Sequence, residues 1–206
     1  MRPARWSASR RRRAMPETQH HRRCTGALMD QLYERLTALE RATPTRPCEK
    51  TDQLFEQLSQ QEACRQAHEL EDRIWSLWCG HDEPEASQKM EQAIRAIAAR
   101  DFAAAHRLLD DMGLRWADWA EVWNKRATLL FLEERDAESL EDIDRTLSME
   151  PRHFGALCGL GQIAIRQGEP HLALAAFKAA TRVNPHLAGA KAAVGSLERA
   201  LRRQCH

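Results

Sequence analysis

Long apolar runs are missing from this 206-residue chain, and nothing in it approaches the stretch of about 18 apolar residues that spans a bilayer. Nucleotide- and acyl-handling motifs are missing too: there is no glycine-rich phosphate loop, no G-x-S-x-G and no H-E-x-x-H. Tyr33 is the single tyrosine. Acid pairs such as Asp110 with Asp111 and Glu133 with Glu134 are neighbours on a helix or turn, so they point apart and cannot bracket one substrate atom. The chain is therefore expected not to be an enzyme and to need no cofactor. Its six cysteines, at 24, 48, 64, 79, 158 and 205, include no C-x-x-C, which argues for free thiols rather than a zinc ribbon. Cys64 with His68 and Cys79 with His81 would make a metal set only if the chain folded back on itself, so no metal is expected. No window alternates polar and apolar residues for long enough to suggest a sheet.

What the chain does have is a step of 34 residues. Small residues recur at Ala93, Ala127, Gly161 and Gly195, a second small column runs through Ala105, Ser139 and Ala173, and a bulky one through Leu109, Ile143 and Phe177. Pro151 and Pro185 stand one step apart as well. The small columns have a steric reason: where the two helices of a unit cross closely, anything beyond a methyl or hydroxyl holds them apart. Glycine inside a helix costs about 1 kcal/mol relative to alanine, so Gly161 and Gly195 are expected at the tightest crossings. The bulky column fills the space between one unit and the next. Each proline pushes the preceding residue out of the helical region, so Glu150 and Asn184 should close their helices.

These columns and prolines resemble the tetratricopeptide repeat, a helix-turn-helix of the same length. The resemblance implies an all-α fold, a right-handed superhelix of helical hairpins with about three repeats and a capping helix, because one unit cannot bury its apolar face alone. The units fall at 86–119, 120–153 and 154–187, and a capping helix at 188–206. The third unit matches best, with Leu157, Leu160, Ile163 and Ala164 on one helical stripe, Gly168 at a helix end and Pro170 at a helix start. In the middle unit Trp123 takes the aromatic opening column, and the turn from Glu134 to Asp136 has no glycine, so it should lack a left-handed cap. In the first unit Lys89 replaces the aromatic and Ala117 the proline, while Asp101 is the expected N-cap of the second helix. Upstream, residues 51–85 read as a divergent hairpin, with Leu54, Phe55 and Leu58, then Ala67, Leu70, Ile74, Trp75, Leu77 and Trp78. There Glu71 falls where a small residue belongs. Residues 29–50 read as an amphipathic helix, whose stripe of Leu32, Leu36 and Leu39 begins at Leu28, and a linker holding Pro44 and Pro47.

In this family the first helix of each unit lines a concave groove. The matching positions are Met90, Ile94 and Ile97, then Asn124, Lys125, Thr128 and Phe131, then Cys158, Gln162 and Ile165. The resemblance thus implies a scaffold or adaptor whose mildly apolar groove takes a hydrophobic or amphipathic segment of a protein or peptide partner. Relatives that grip acidic chaperone tails use a clamp of lysine, asparagine and arginine. Met90, Ile94, Lys125, Gly155 and Gly159 hold the corresponding positions, so no carboxylate clamp is expected. Packing of the groove on the N-terminal hairpin is an equal alternative.

The net charge of +1 conceals a division. Residues 1–28 carry eight arginines and the single acid Glu17, which leaves 23 basic and 29 acidic residues, a net of −6, in the rest. Three readings of that tail stay open: a disordered or non-native extension, an organelle-targeting segment, and a patch for nucleic acid or another acidic surface. No apolar stretch follows the arginines to serve as a secretory signal, so a cytoplasmic location is expected, with organelle targeting as the alternative. Residues 133–150 hold eight acids against two arginines and should form a negative ridge, open to a basic partner or to the tail of the same or another copy. Trp116, Trp119 and Trp123 are expected to pack between units, with partner anchoring as the alternative.

Overall fold

The 34-residue step governs where helices begin. A computed structural model describes residues 17–39, 42–61 and 64–204, apart from the side chains of 17–25, Cys64 and Gln204. The arginines at 2, 5 and 10–13 lie outside the described residues, as do the side chains of Arg22, Arg23, Cys24 and Cys64 and the whole of Cys205. The helices are α1 (Glu17–Ala38), α2 (Glu49–Gln60), α3 (Cys64–Cys79), α4 (Pro84–Ala98), α5 (Phe102–Arg115), α6 (Ala120–Leu132), α7 (Asp136–Met149), α8 (Phe154–Gln167), α9 (Pro170–Val183) and α10 (Ala188–Gln204). The second helices of the units start at 102, 136 and 170, one step apart; α6, α8 and α10 start at 120, 154 and 188, also one step apart, while α4, the first helix of the first unit, starts at 84, two residues early. Among the described residues there is no strand, and consecutive helices pair into an all-α solenoid.

Each unit turns in the same way. The N–H groups of Asp101, Arg135 and Glu169 reach back to the carbonyls of Ala96, Leu130 and Ala164 at 2.9, 2.9 and 2.8 Å. The residue before each one takes a left-handed backbone, with φ of 58° at Arg100, 61° at Glu134 and 78° at Gly168. The expectation that the middle turn lacks a left-handed cap is therefore corrected: Glu134 itself adopts the conformation, because the turn geometry leaves no other way to satisfy the last carbonyls. A side chain there costs roughly 1–2 kcal/mol. Glu134→Gly should accordingly stabilise the protein by about 1 kcal/mol, read as a higher urea midpoint; an unchanged or lower midpoint would count against this account of the turn.

The columns do what sterics require. Ala93, Ala105, Ser139, Ala173 and Leu109 have no exposed surface, and the Ser139 hydroxyl donates to the Ala127 carbonyl at 2.8 Å, joining the two small columns. A Cβ on Gly161 would lie 2.7 Å from the Phe177 ring. Gly195 is different: a Cβ there would meet only the Arg199 guanidinium, at 3.3 Å. The tight crossing expected at Gly195 is not formed among the described residues, where no second helix packs against it. Asp101 accepts the Ala104 N–H at 3.0 Å, as an N-cap should. Glu150 and Asn184 are extended residues that close α7 and α9.

Helix α1 starts at Glu17, inside the stretch read from sequence as tail, and lies across α7 and α9. Met29, Leu32 and Leu36 are buried there, and Arg35 Nη2 reaches Asp144 Oδ2 at 3.0 Å. These are second helices, so α1 leaves the opposite face free. The three tryptophans at the junction are buried, and their indole N–H groups donate to Glu83, to the Trp78 carbonyl and to the Ala117 carbonyl at 3.0, 2.7 and 2.8 Å. The negative ridge is largely neutralised. Glu133 is paired with His106, Asp136 with Arg166, Glu138 with Arg135, Asp142 with Arg126, Asp144 with Arg35 and Glu150 with Arg152. Five of those six partners, His106 and four arginines, come from outside the 133–150 segment, before or after it by up to about a hundred residues, which local charge counting does not see.

Candidate protein-binding groove

The first helices α6 and α8 border an opening that Gly155 and Gly159, without side chains, help to line. A pocket of about 210 Å³ lies there, with Ala127, Ile143 and Ile163 among its apolar walls and Thr128, Phe131, Cys158 and Gln162 around them. Ile165, 51% exposed, stands on α8 one turn beyond Gln162. Phe131 is partly covered by the Arg166 guanidinium, 4.1 Å from its ring, and Asp136 holds that guanidinium in place. Not every expected groove residue reaches this surface. Met90 has no exposed area and belongs to the core of the first unit, against which Ile94 and Ile97 are partly buried. Asn124 touches the pocket but is 6% exposed, and Lys125 turns to Glu121 at 2.8 Å.

The α2–α3 hairpin covers the other half of the groove, over the N-terminal ends of α6 and α8. Trp75 fills the gap above Gly155, where a Cβ would come within 2.6 Å of its ring, and Trp78 stacks on His153 with centroids 4.1 Å apart. Lys125 Nζ lies 4.9 Å from the Trp75 ring. Polar ties reinforce the aromatic ones: Arg152 Nη1 to Asp52 at 2.6 Å, and Asn184 Nδ2 to Glu71 Oε2 at 3.0 Å. Glu71 stands in place of a small residue because it bridges α3 to the end of α9 rather than crossing a partner helix.

Under the hairpin sits a buried acid that sequence reading passed over. Glu121, 1% exposed, accepts hydrogen bonds from Lys125 and Asn124 on its own helix, at 2.8 and 3.1 Å, and is 2.8 Å from His153 Nε2. His153 Nδ1 accepts the Ala156 N–H at 3.1 Å, capping α8, so Nε2 carries the hydrogen and donates it to Glu121. Burial opposes ionisation of Glu121, but the hydrogen bond and field of His153, followed by those of Lys125, hold its pKa down at about 2. The signals were there: an i, i+4 Glu–Lys pair, and an acid one 34-residue step before Gly155. Burial, then the Glu121 charge, pushes the Cys79 thiol up to about 12, and burial with the field of Glu71 pushes Cys158 up to about 11. A thiol so shifted stays protonated at neutral pH, which disfavours the thiolate. Among the described residues no three His, Cys, Asp or Glu side chains come together as a metal set.

No family model matches the chain. A TPR repeat-containing protein of Rhizobium etli is 34% identical to it over 139 residues, 68% of this chain and 68% of that protein. The chain belongs to the tetratricopeptide repeat family. Among the described residues, the paired helices α2 to α9, with like turns one step apart after α4, α6 and α8, are the architecture of that family. Proteins of the tetratricopeptide repeat family are in general non-catalytic protein-interaction modules. No helix among its described residues is long and apolar enough to cross a membrane.

Proposed function

We propose that this tetratricopeptide repeat chain is a non-enzymatic adaptor that takes a segment of a protein partner into the open half of its concave face, with Thr128, Phe131, Gln162 and Ile165 as contacts. The observation that carries the reading is the pocket between α6 and α8, which Gln162 and apolar walls line, with Ile165 exposed three residues further along α8. Such a surface suits an apolar side chain of the partner seated in the pocket and backbone polar groups meeting the amide and hydroxyl at its rim. A carboxylate clamp does not form: Met90 is in the core, Gly155 lies under Trp75, and Lys125 is held by Glu121.

Gln162→Arg/Ile165→Glu tests this, because both positions are exposed and the substitutions leave the core untouched. In affinity capture from native lysate, proteins retained by the parent should be lost by the variant, with circular dichroism unchanged. Equal retention by the two would place binding elsewhere.

A further inference from the structure

The surface hidden beneath the hairpin carries its own record of what fits it. We propose that the α2–α3 hairpin is a built-in occupant of the concave face, and that the partner of this covered half is an amphipathic helix presenting two aromatic side chains three residues apart. This rests on the concave face being the binding surface. The chemistry is read from the occupant in place. Trp75 and Trp78, three apart on α3, enter the gap at Gly155 and lie on His153, with Lys125 against the Trp75 ring. An aromatic pair on another helix would meet the same notch, the same imidazole face and the same cation.

The hairpin is built to leave as a unit. Leu54, Phe55, Leu58, Ala67, Leu70 and Ile74 bury one another within it, so its helices have a core of their own, to which the repeats add Phe154 and, at its edge, Val183 and Leu187. Helix-free segments join it to its neighbours on both sides, from 42 to 48 with Pro44 and Pro47, and from 80 to 83. No helix has to break for it to swing away. Its seat is incomplete. A cleft of about 730 Å³ runs between its foot and α6, bordered by Trp78, His81, Trp119 and Glu121, and the buried Trp78 Nε1 has no hydrogen-bond partner. When the hairpin swings away that donor reaches water, which relieves the cost of leaving its hydrogen bond unmade. Against departure stand the Asp52–Arg152 and Glu71–Asn184 ties and the Trp119 indole on the Trp78 carbonyl.

The test uses the full chain and a fluorescein-labelled synthetic peptide of residues 64–82, with Cys64→Ser and Cys79→Ser, read by anisotropy. Wild type should bind the peptide weakly, because its groove is occupied. Trp75→Ala/Trp78→Ala removes the occupant's anchors, and Asp52→Lys/Glu71→Lys removes its polar ties while keeping every aromatic. Each should bind the peptide about tenfold or more tightly, the occupancy penalty having been lifted. Gly155→Leu added to either should abolish the gain by filling the notch. Equal affinity in wild type and both released variants, or a gain that survives Gly155→Leu, would overturn the proposal. Neither result depends on Gln162 or Ile165, so failure of partner capture at the open half and failure of self-occupancy are separate outcomes.

Discussion

Phe177→Ala is expected to destabilise the protein by about 3–5 kcal/mol, the usual consequence of removing a buried aromatic ring. The ring is 5% exposed, and α8 is kept close to α9 only because residue 161 lacks a side chain at that point. That dependence gives a sharper result than the loss itself. Gly161→Ala alone sets a methyl 2.7 Å from the ring, so overpacking should outweigh the better helix propensity of alanine and lower stability by about 1–3 kcal/mol. In the Phe177→Ala background the obstruction is gone, and the same Gly161→Ala change should raise stability by about 1 kcal/mol. A double-mutant cycle by urea unfolding reads the sign reversal directly. If Gly161→Ala has the same sign in both backgrounds, the close contact is not what keeps glycine at this step of the repeat.

Glu121→Ala should cost about 3–5 kcal/mol, because it leaves the His153 N–H and the Asn124 amide buried without an acceptor and the Lys125 charge without its partner. The same carboxylate predicts a pH dependence. Its pKa falls from an ordinary 4.5 to about 2 in the fold, so the ionised form is favoured by folding. The stability it contributes is complete above about pH 4.5 and is lost as pH falls through about 2, a change of roughly 3 kcal/mol. Glu121→Gln lacks this component. Unfolding free energies at pH 6 and pH 3 should therefore converge between wild type and Glu121→Gln as the solution is acidified; a constant difference would assign the acid sensitivity to another group.

These two sites differ in how readable they were. The bulky column was expected between units, whereas the Phe177 ring lies against Gly161 of its own unit. Gly161 and Phe177 each repeat a spacing, however, so a close crossing at Gly161 was readable. Helix boundaries followed for the same reason, with Pro151 and Pro185 ending α7 and α9 one residue after their extended caps. Gly195 showed the limit of the column, since the spacing continues there but among the described residues no helix packs closely against it. The left-handed turn at Glu134 was hidden because the residue is not glycine; the geometry comes from the tertiary step it shares with Arg100 and Gly168. The covered half of the groove was less legible still. Trp75 meets Gly155 and Glu71 meets Asn184 across distances in sequence that no repeat period links, and those contacts are what divide the concave face into an occupied part and an open part. Charge counting over residues 133–150 failed for a related reason, as Arg35, Arg126, Arg152 and Arg166 arrive from four other elements.

The measurement that bears most directly on the account is site-specific photocrosslinking of the full chain in native lysate, with a photoreactive residue at Gln162 on the open half of the groove or at Glu141 on the outer face of α7. Both positions are exposed, so neither perturbs the core. Adducts to a discrete partner from position 162 and none from position 141 are the predicted result. The reverse pattern would place recognition on the outer face and contradict the assignment of the concave groove.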